Sequence, residues 1–341
     1  TSFVRGIDRI KEFSISSVIA SVVTIGCNIL FLLVFHWGLQ GYFLANVIGP
    51  FVQCLYLMIY THIPNYIKPR ERHNQEKKEM LDYSKPLIAN SIAWWVNNAS
   101  DRYVVIFFCG IAANGIYSIA SKIPSILNIV QMIFNQAWTL SAVKDYDPED
   151  KSGFFANTYK AYNCLMVIIC SLIIAADKIL ARLLYANDFY MAWKYVPWLT
   201  IAIVFGALSG YIGGFFSAVR DSKIFAQSTV IGAILNLIMN IISTPLIGPL
   251  GAAIATAISY FIVWLIRYVR SRSLIKLRIR LRRDLVTYAI LVVQSVVLLL
   301  VSNNLLLYVI QYGFMLMIIF LYKDDIILFI NKFRSKLSQR R

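Results

Sequence analysis

The sequence predicts an all-α fold: a polytopic bundle of about 10 transmembrane helices in two pseudo-symmetric lobes, the first of them incomplete. Three observations carry this prediction. The 341 residues are 59% hydrophobic with a mean hydropathy of +0.65, whereas a soluble domain has about 45–50% apolar residues. The apolar residues gather into ten stretches near the length of about 20 residues that a bilayer crossing needs. Two turns, G-L-Q-G-Y-F-L-A-N-V-I at 38–48 and G-P-L-G-A-A-I-A-T-A-I at 248–258, align without a gap at an offset of 210, as expected for a duplicated membrane bundle.

Taken in order, the expected spans are 14–36, 41–62, 86–109, 113–143, 156–177, 196–219, 223–246, 250–270, 285–302 and 304–322. Several connections are very short (36–41, 109–113, 248–251, 302–304), and short connections force antiparallel hairpins. Assigning loops alternately to two sides puts 28 of the 33 Lys and Arg on one side and only Lys178, Arg182 and Lys194 on the other. That is a strong positive-inside signal, and it makes both ends of the chain cytoplasmic. The 20 Tyr, 21 Phe and 7 Trp suit aromatic belts at the two interfaces.

The expected organisation is a remainder of a first lobe at 1–62, a cytoplasmic linker at 63–85, a six-helix second lobe at 86–270, a basic loop at 271–284, two additional helices at 285–322 and a basic tail at 323–341. The offset of 210 puts the start of the first lobe about 125 residues before Thr1, room for about four more spans. In the loop 178–196, the pattern Ile179, Leu180, Leu183, Leu184 followed by Tyr185, Phe189, Trp193 and Trp198 reads as an outer interfacial amphipathic helix. The basic segment 267–284 is either a contact for anionic cytoplasmic lipid or a solvated loop.

Polar residues inside spans are costly and are candidates for function. The span 86–109 is the most loaded. Asn90, Trp94, Asn97 and Asp101 fall at i, i+4, i+7 and i+11, and Ser91, Trp95, Asn98 and Arg102 form the adjacent stripe. This wedge must meet a partner helix or a water-filled cavity. Asp101 and Arg102 either hold the bundle together or, in the case of Arg102, attract an anionic substrate. Lys122 lies beside Tyr117, Ser121, Ser125 and Asn128 in the next span, where Pro124 should kink the helix; snorkelling to the outer interface is its alternative role. Asn236 and Asn240, at i, i+4, read as interhelical hydrogen-bonding residues, and Gly206, Gly210 and Gly214 as a close-packing face.

Other chemistries are excluded or unsupported. The +16 net charge lies in loops between spans, which argues against nucleic acid. The five cysteines fall in apolar segments without metal-like spacing and read as buried free thiols. The three histidines are scattered, and no zinc-protease, phosphate-loop or catalytic-triad pattern can be assembled. Active transport would therefore draw on a proton or sodium gradient, the membrane potential or consumption of the substrate.

The segment 81–102, L-D-Y-S-K-P-L-I-A-N-S-I-A-W-W-V-N-N-A-S-D-R, resembles the start of the C-terminal lobe of polysaccharide and O-antigen flippases, in the multidrug/oligosaccharidyl-lipid/polysaccharide exporter superfamily; S-D-R at 100–102 is its sharpest piece. The outer segment 183–199 is similar to the family's linker before its tenth helix, and 248–260 resembles its eleventh-to-twelfth turn. The resemblance implies two six-helix lobes around a cavity that opens alternately inward and outward. It implies a polyprenyl-diphosphate-linked oligosaccharide as cargo and other polysaccharide-assembly membrane proteins as partners, in the bacterial cytoplasmic membrane. The two additional helices suit fourteen-helix members. Cationic residues in the relatives' cavity are proposed to meet the diphosphate; carried over, this points to Arg102 and Lys122, with Lys85 and Arg220 near the inner mouth.

Two other functions compete. A multidrug or cation antiporter of the same superfamily would need an anionic cavity, but Asp101 is the only clear intramembrane acid against Arg102 and Lys122. A membrane polymerase or glycosyltransferase would need a large outer loop with catalytic carboxylates, and the largest here has about 20 residues and one obvious carboxylate, Asp188.

Overall fold

The computed structural model describes residues 1–66, 74–301 and 303–327, with side chains except those of Ser2, Pro64, Asn65, Asn98 and Asn304. The predicted connection at 302, the linker cations Lys68, Arg70 and Arg72, and the tail from 328 onward lie outside the described residues. The helices are α1 (Ser2–Gly6), α2 (Ile10–Ile29), α3 (Gly38–Tyr60), α4 (Asn74–Ala120), α5 (Ser125–Lys144), α6 (Phe154–Leu184), α7 (Val196–Ala218), α8 (Ser222–Ile247), α9 (Pro249–Ser271), α10 (Leu281–Leu300) and α11 (Asn304–Leu321). Among the described residues there are no strands, and eight helices are long and apolar enough to cross a membrane. The chain is an all-α, multi-pass membrane protein. It divides into two units, Thr1–Lys77 and Lys78–Arg341.

In the first unit α2 ends in a π turn, Leu30–Val34, and pairs with α3. The pairing is close because α3 presents Gly41, Ala45 and Gly49 as buried positions. A Cβ on Gly41 would come within 2.8 Å of the Phe31 Cβ. Gln53 Nε2 donates across the pair to Ser16 Oγ at 3.2 Å and Ser17 Oγ at 3.1 Å. Most of the remaining surface is apolar and exposed, as bilayer-facing helices require.

The second unit repeats this hairpin with α8 and α9. Gly38 and Gly248 both have left-handed backbone, φ 57° and 66°, which glycine adopts without steric cost. Three residues on, Gly251 matches Gly41: a Cβ there would lie 2.5 Å from the Ser243 carbonyl oxygen. Ala255, like Ala45, is buried. The repeat read at an offset of 210 is thus one device used twice, a glycine that turns the chain and a second that lets the helices touch.

Helix α7 is the buried axis of the second unit and packs against α5, α6, α8, α9 and α10. Its small residues each receive a larger group. Positions 206, 210 and 214 face Tyr260, Asn135 and Trp138, and a Cβ at 214 would lie 2.6 Å from the indole nitrogen. Trp138 stacks on Tyr211 at 4.0 Å and donates to the Tyr211 carbonyl oxygen at 2.8 Å. Helices α10 and α11 dock on α6 through two buried polar layers. In one, Ser171 Oγ donates to Gln294 Oε1 (3.1 Å) and Gln311 Nε2 to the Gln294 carbonyl oxygen (2.9 Å). In the other, Asn163 joins Tyr288 and Tyr322, and Tyr322 Oη donates to Asp284 Oδ1 at 2.9 Å.

Several expectations change. The 109–113 connection is there, but it is a single residue: Gly110, φ 87° and ψ 171°, interrupts α4. Tyr117 Oη donates to Asp101 Oδ2 across 16 residues, which an unbroken helix would hold about 24 Å apart; the chain therefore folds back at Gly110. The span expected at 113–143 is not kinked at Pro124 but divided, with a turn at 121–124 before α5, because proline suits a helix start better than its interior. The interfacial helix expected at 178–196 is also absent. Residues to Leu184 continue α6, with no breaker to stop it, and a 3-10 segment, Asn187–Lys194, follows. Cys54 is exposed rather than buried. Arg267, counted as a loop cation, is fully buried in α9. Its Nε donates to Ser228 Oγ (2.9 Å), and its terminal nitrogens to the Ser209 carbonyl oxygen (2.9 Å) and Thr229 Oγ1 (2.8 Å), while the guanidinium lies over the Phe225 ring.

Candidate functional site

The polar stripe of α4 meets α8 and α9. Asp101 is buried and is the shared acceptor of four side chains. Asn236 and Asn240 Nδ2 donate to Oδ1 at 2.8 and 2.7 Å, and Thr256 Oγ1 and Tyr117 Oη donate to Oδ2 at 2.6 and 3.1 Å. Helical spacing puts Asn236 and Asn240 on one face of α8, and the reversal at Gly110 returns Tyr117. Two further contacts extend the seam: Asn236 Nδ2 donates to the Asn97 carbonyl oxygen at 3.2 Å, and Thr229 Oγ1 to Asn90 Oδ1 at 2.6 Å. Thr229 also accepts from Arg267, so Asn90 is tied through Thr229 to the buried guanidinium.

Beside this seam is a cavity of about 350 Å³ lined by α4, α5, α7, α9 and the turn at 121–124. Arg102, exposed into it, has no hydrogen bond or ion pair among the described residues. Asp101, Tyr117 and Thr256 contribute one part of the lining, and Trp94 and Tyr260 meet edge to face at 5.2 Å in another. Ser118, Ser121, Asn128 and Gln131 add hydroxyl and amide groups. Trp94 and Tyr260 also border a cleft of about 10 Å³ that reaches Asn97, whose Oδ1 is buried without a donor; the cleft has room for about one water molecule.

The structure brings some of the sequence-selected residues together and separates others. Asp101 and Arg102 line the cavity, Asn97 lines the adjoining cleft and Asn90 belongs to the interhelical seam. The Asn98 side chain is outside the described residues. Lys122 is exposed on the turn before α5 and is not among the residues lining the cavity. Lys85 is on the surface of α4, paired with Asp82 at 3.2 Å. Arg220, at φ 57°, is exposed in the turn between α7 and α8. Ser222 Oγ donates to the Tyr83 carbonyl oxygen at 2.9 Å, so Arg220 and Lys85 lie at the same end of the second unit. Trp94 and Tyr260 were not selected as a pair from the sequence. Trp94 stood on the polar stripe, but nothing in the chain signals that position 260 would return to it.

Residues 1–143 match the family of polysaccharide biosynthesis proteins. Among solved structures, lipid II flippase MurJ in an inward closed conformation superposes with a TM-score of 0.59 at 16% identity, covering 92% of this chain and 68% of that one. The chain has the fold of a lipid flippase. The flippase resemblance stated from the sequence holds at the level of the fold. A MOP superfamily transporter from Pyrococcus furiosus, whose structure was described as having a binding pocket of reversed polarity suggesting a different function, is similar with a TM-score of 0.46 at 18% identity, over 65% of this chain and 53% of its own. No curated protein sequence matches the chain.

Proposed function

We propose that this chain works in a flippase that carries a polyprenyl-diphosphate-linked oligosaccharide, a repeat unit of O-antigen or another surface polysaccharide, from the cytoplasmic to the outer leaflet of the bacterial cytoplasmic membrane by alternating access. The observation that carries this reading is Arg102, a guanidinium with no acceptor among the described residues, in a cavity whose one lining carboxylate, Asp101, is held by four other donors and whose remaining polar lining is neutral. An ionised group inside a bundle is expensive unless something meets it, and a phosphate is the anion a guanidinium fork binds best. The match of the first 143 residues to polysaccharide biosynthesis proteins supports the same cargo. In this reading residues 86–270 form one lobe, 1–62 belong to the other, 285–322 are additional helices, and both ends of the chain are cytoplasmic. The exposed Arg272, Arg278 and Arg282 then face anionic lipid headgroups.

The cation-antiporter reading loses its main residue. Asp101 would have to offer its charge to cargo, yet four donors already occupy its oxygens.

The test is deletion of the full-length gene, followed by quantification of lipid-linked repeat units on the cytoplasmic leaflet, with wild-type, Arg102→Ala and Lys122→Ala complements. We expect single repeat units to accumulate in the deletion, to clear with wild type and to persist with Arg102→Ala. Lys122→Ala should clear them. An unchanged lipid-linked pool together with new sensitivity to cationic drugs overturns the flippase reading.

A further inference from the structure

The cavity in the second unit is poorly suited to a diphosphate as its main occupant. One cation lines it, Arg102, while Asp101 adds a carboxylate to the same lining. Its other polar groups are neutral. Asn128, Gln131 and Ser118 have side chains that make no hydrogen bond to the protein among the described residues. Ser121 Oγ donates to the Ser118 carbonyl oxygen at 2.7 Å, leaving its lone pairs free. Unpaired hydroxyls and amides supply both donors and acceptors, the pattern that the rim of a sugar ring requires. The volume, about 350 Å³, is in the range of small-molecule pockets.

The aromatic pair supplies the second half of a sugar site. Trp94 and Tyr260 come from α4 and α9 and meet at 5.2 Å. Tyr260 is fixed from behind by α7, since a Cβ on Gly206 would lie 3.0 Å from its Cδ1 and Cε1. A pyranose presents C–H bonds on its faces and hydroxyls around its edge, and a π-face attracts the positively polarised C–H groups. We propose that Trp94 and Tyr260 are the platform for a sugar ring of the cargo, with Asn128, Gln131, Ser118 and Ser121 reading its hydroxyls and Arg102 marking the end toward the diphosphate. This rests on the flippase reading above and adds that the cavity selects by glycan rather than by charge.

The test uses the full-length protein in nanodiscs and two probes: lipid-linked repeat units extracted from the deletion strain, and bare polyprenyl diphosphate. Trp94→Leu and Tyr260→Leu should bind the glycan-bearing lipid about 3- to 10-fold more weakly and the bare lipid as wild type does. Trp94→Phe and Tyr260→Phe keep a ring and should recover most of the loss, which separates stacking from misfolding. Arg102→Ala should weaken both probes. Equal loss for both probes in the leucine variants, or full affinity for the glycan-bearing lipid, overturns the platform while leaving the flippase reading intact. A wild type that binds neither probe overturns both.

Discussion

Asp101 accepts four hydrogen bonds, whereas its neighbour Arg102 has no acceptor among the described residues. The two should respond differently to substitution. A buried donor left without an acceptor costs about 1–3 kcal/mol. Asp101→Ala removes the acceptor of all four donors at once and leaves the Tyr117 hydroxyl with none, whereas Asn236, Asn240 and Thr256 keep backbone acceptors at Asn97, Asn236 and Ala252. We expect Asp101→Ala to lower the thermal midpoint of the purified protein markedly, Asp101→Asn to lower it less, and Arg102→Ala to leave it unchanged while impairing transport. An equal fall for Asp101→Ala and Arg102→Ala would contradict this division. Asp101 was visible in the sequence as an acid on a polar helical stripe, and Asn236 with Asn240 as an i, i+4 pair. That they meet was not visible, because 135 residues separate the acid from its first amide and nothing local records the contact. The burial of Arg267 is hidden in the sequence for a related reason. The residue stands at the end of an apolar helix, next to true loop cations, and only the Ser209, Ser228 and Thr229 acceptors reveal it as internal.

Among the elements, hairpins were legible and helix ends were not. Glycine pairs mark the α2–α3 and α8–α9 turns because both jobs, left-handed backbone and close approach, exclude larger residues. Gly251→Val would drive a side chain into the Ser243 carbonyl, and Gly41→Val one into Phe31. Each should destabilise the protein by about 1–3 kcal/mol, read as a lower thermal midpoint, while Gly313→Val, with open space around it, should not. Arg267→Lys should also destabilise, since a single ammonium cannot replace a planar fork bonded to α7 and α8 at once. The end of α6 escaped prediction because its 31 residues reach about 46 Å, well past a hydrocarbon core of about 30 Å. Span length sets a minimum for a membrane helix, not its end.

For the whole second unit, α10 and α11 are integral rather than appended. Two polar layers bind α10 and α11 to α6, and the 271–280 segment is held by Lys276–Glu149 (2.8 Å), Arg280–Asp324 (3.3 Å) and the Tyr146 hydroxyl on the Leu274 carbonyl oxygen (2.7 Å). Limited trypsin cleavage at the exposed Arg272 or Arg278 should therefore yield fragments that stay together through gel filtration in detergent. Gln294→Leu combined with Asn163→Leu should let them separate. Fragments that part without those substitutions would show that the polar layers contribute little.

The fold-back at Gly110 sets an order of events during synthesis. The helix carrying Asp101 enters the bilayer long before three of its partners exist, because Asn236, Asn240 and Thr256 follow by 135, 139 and 155 residues. At about 5–20 residues per second the wait is roughly 7–30 s. Tyr117, only 16 residues behind, is the first of the four donors to arrive, and Gly110 delivers it. On this timing we expect the tyrosine to act as an escort for the nascent acid. Tyr117→Phe should reduce the amount of protein inserted per cell more than it reduces the thermal midpoint of the protein that does insert.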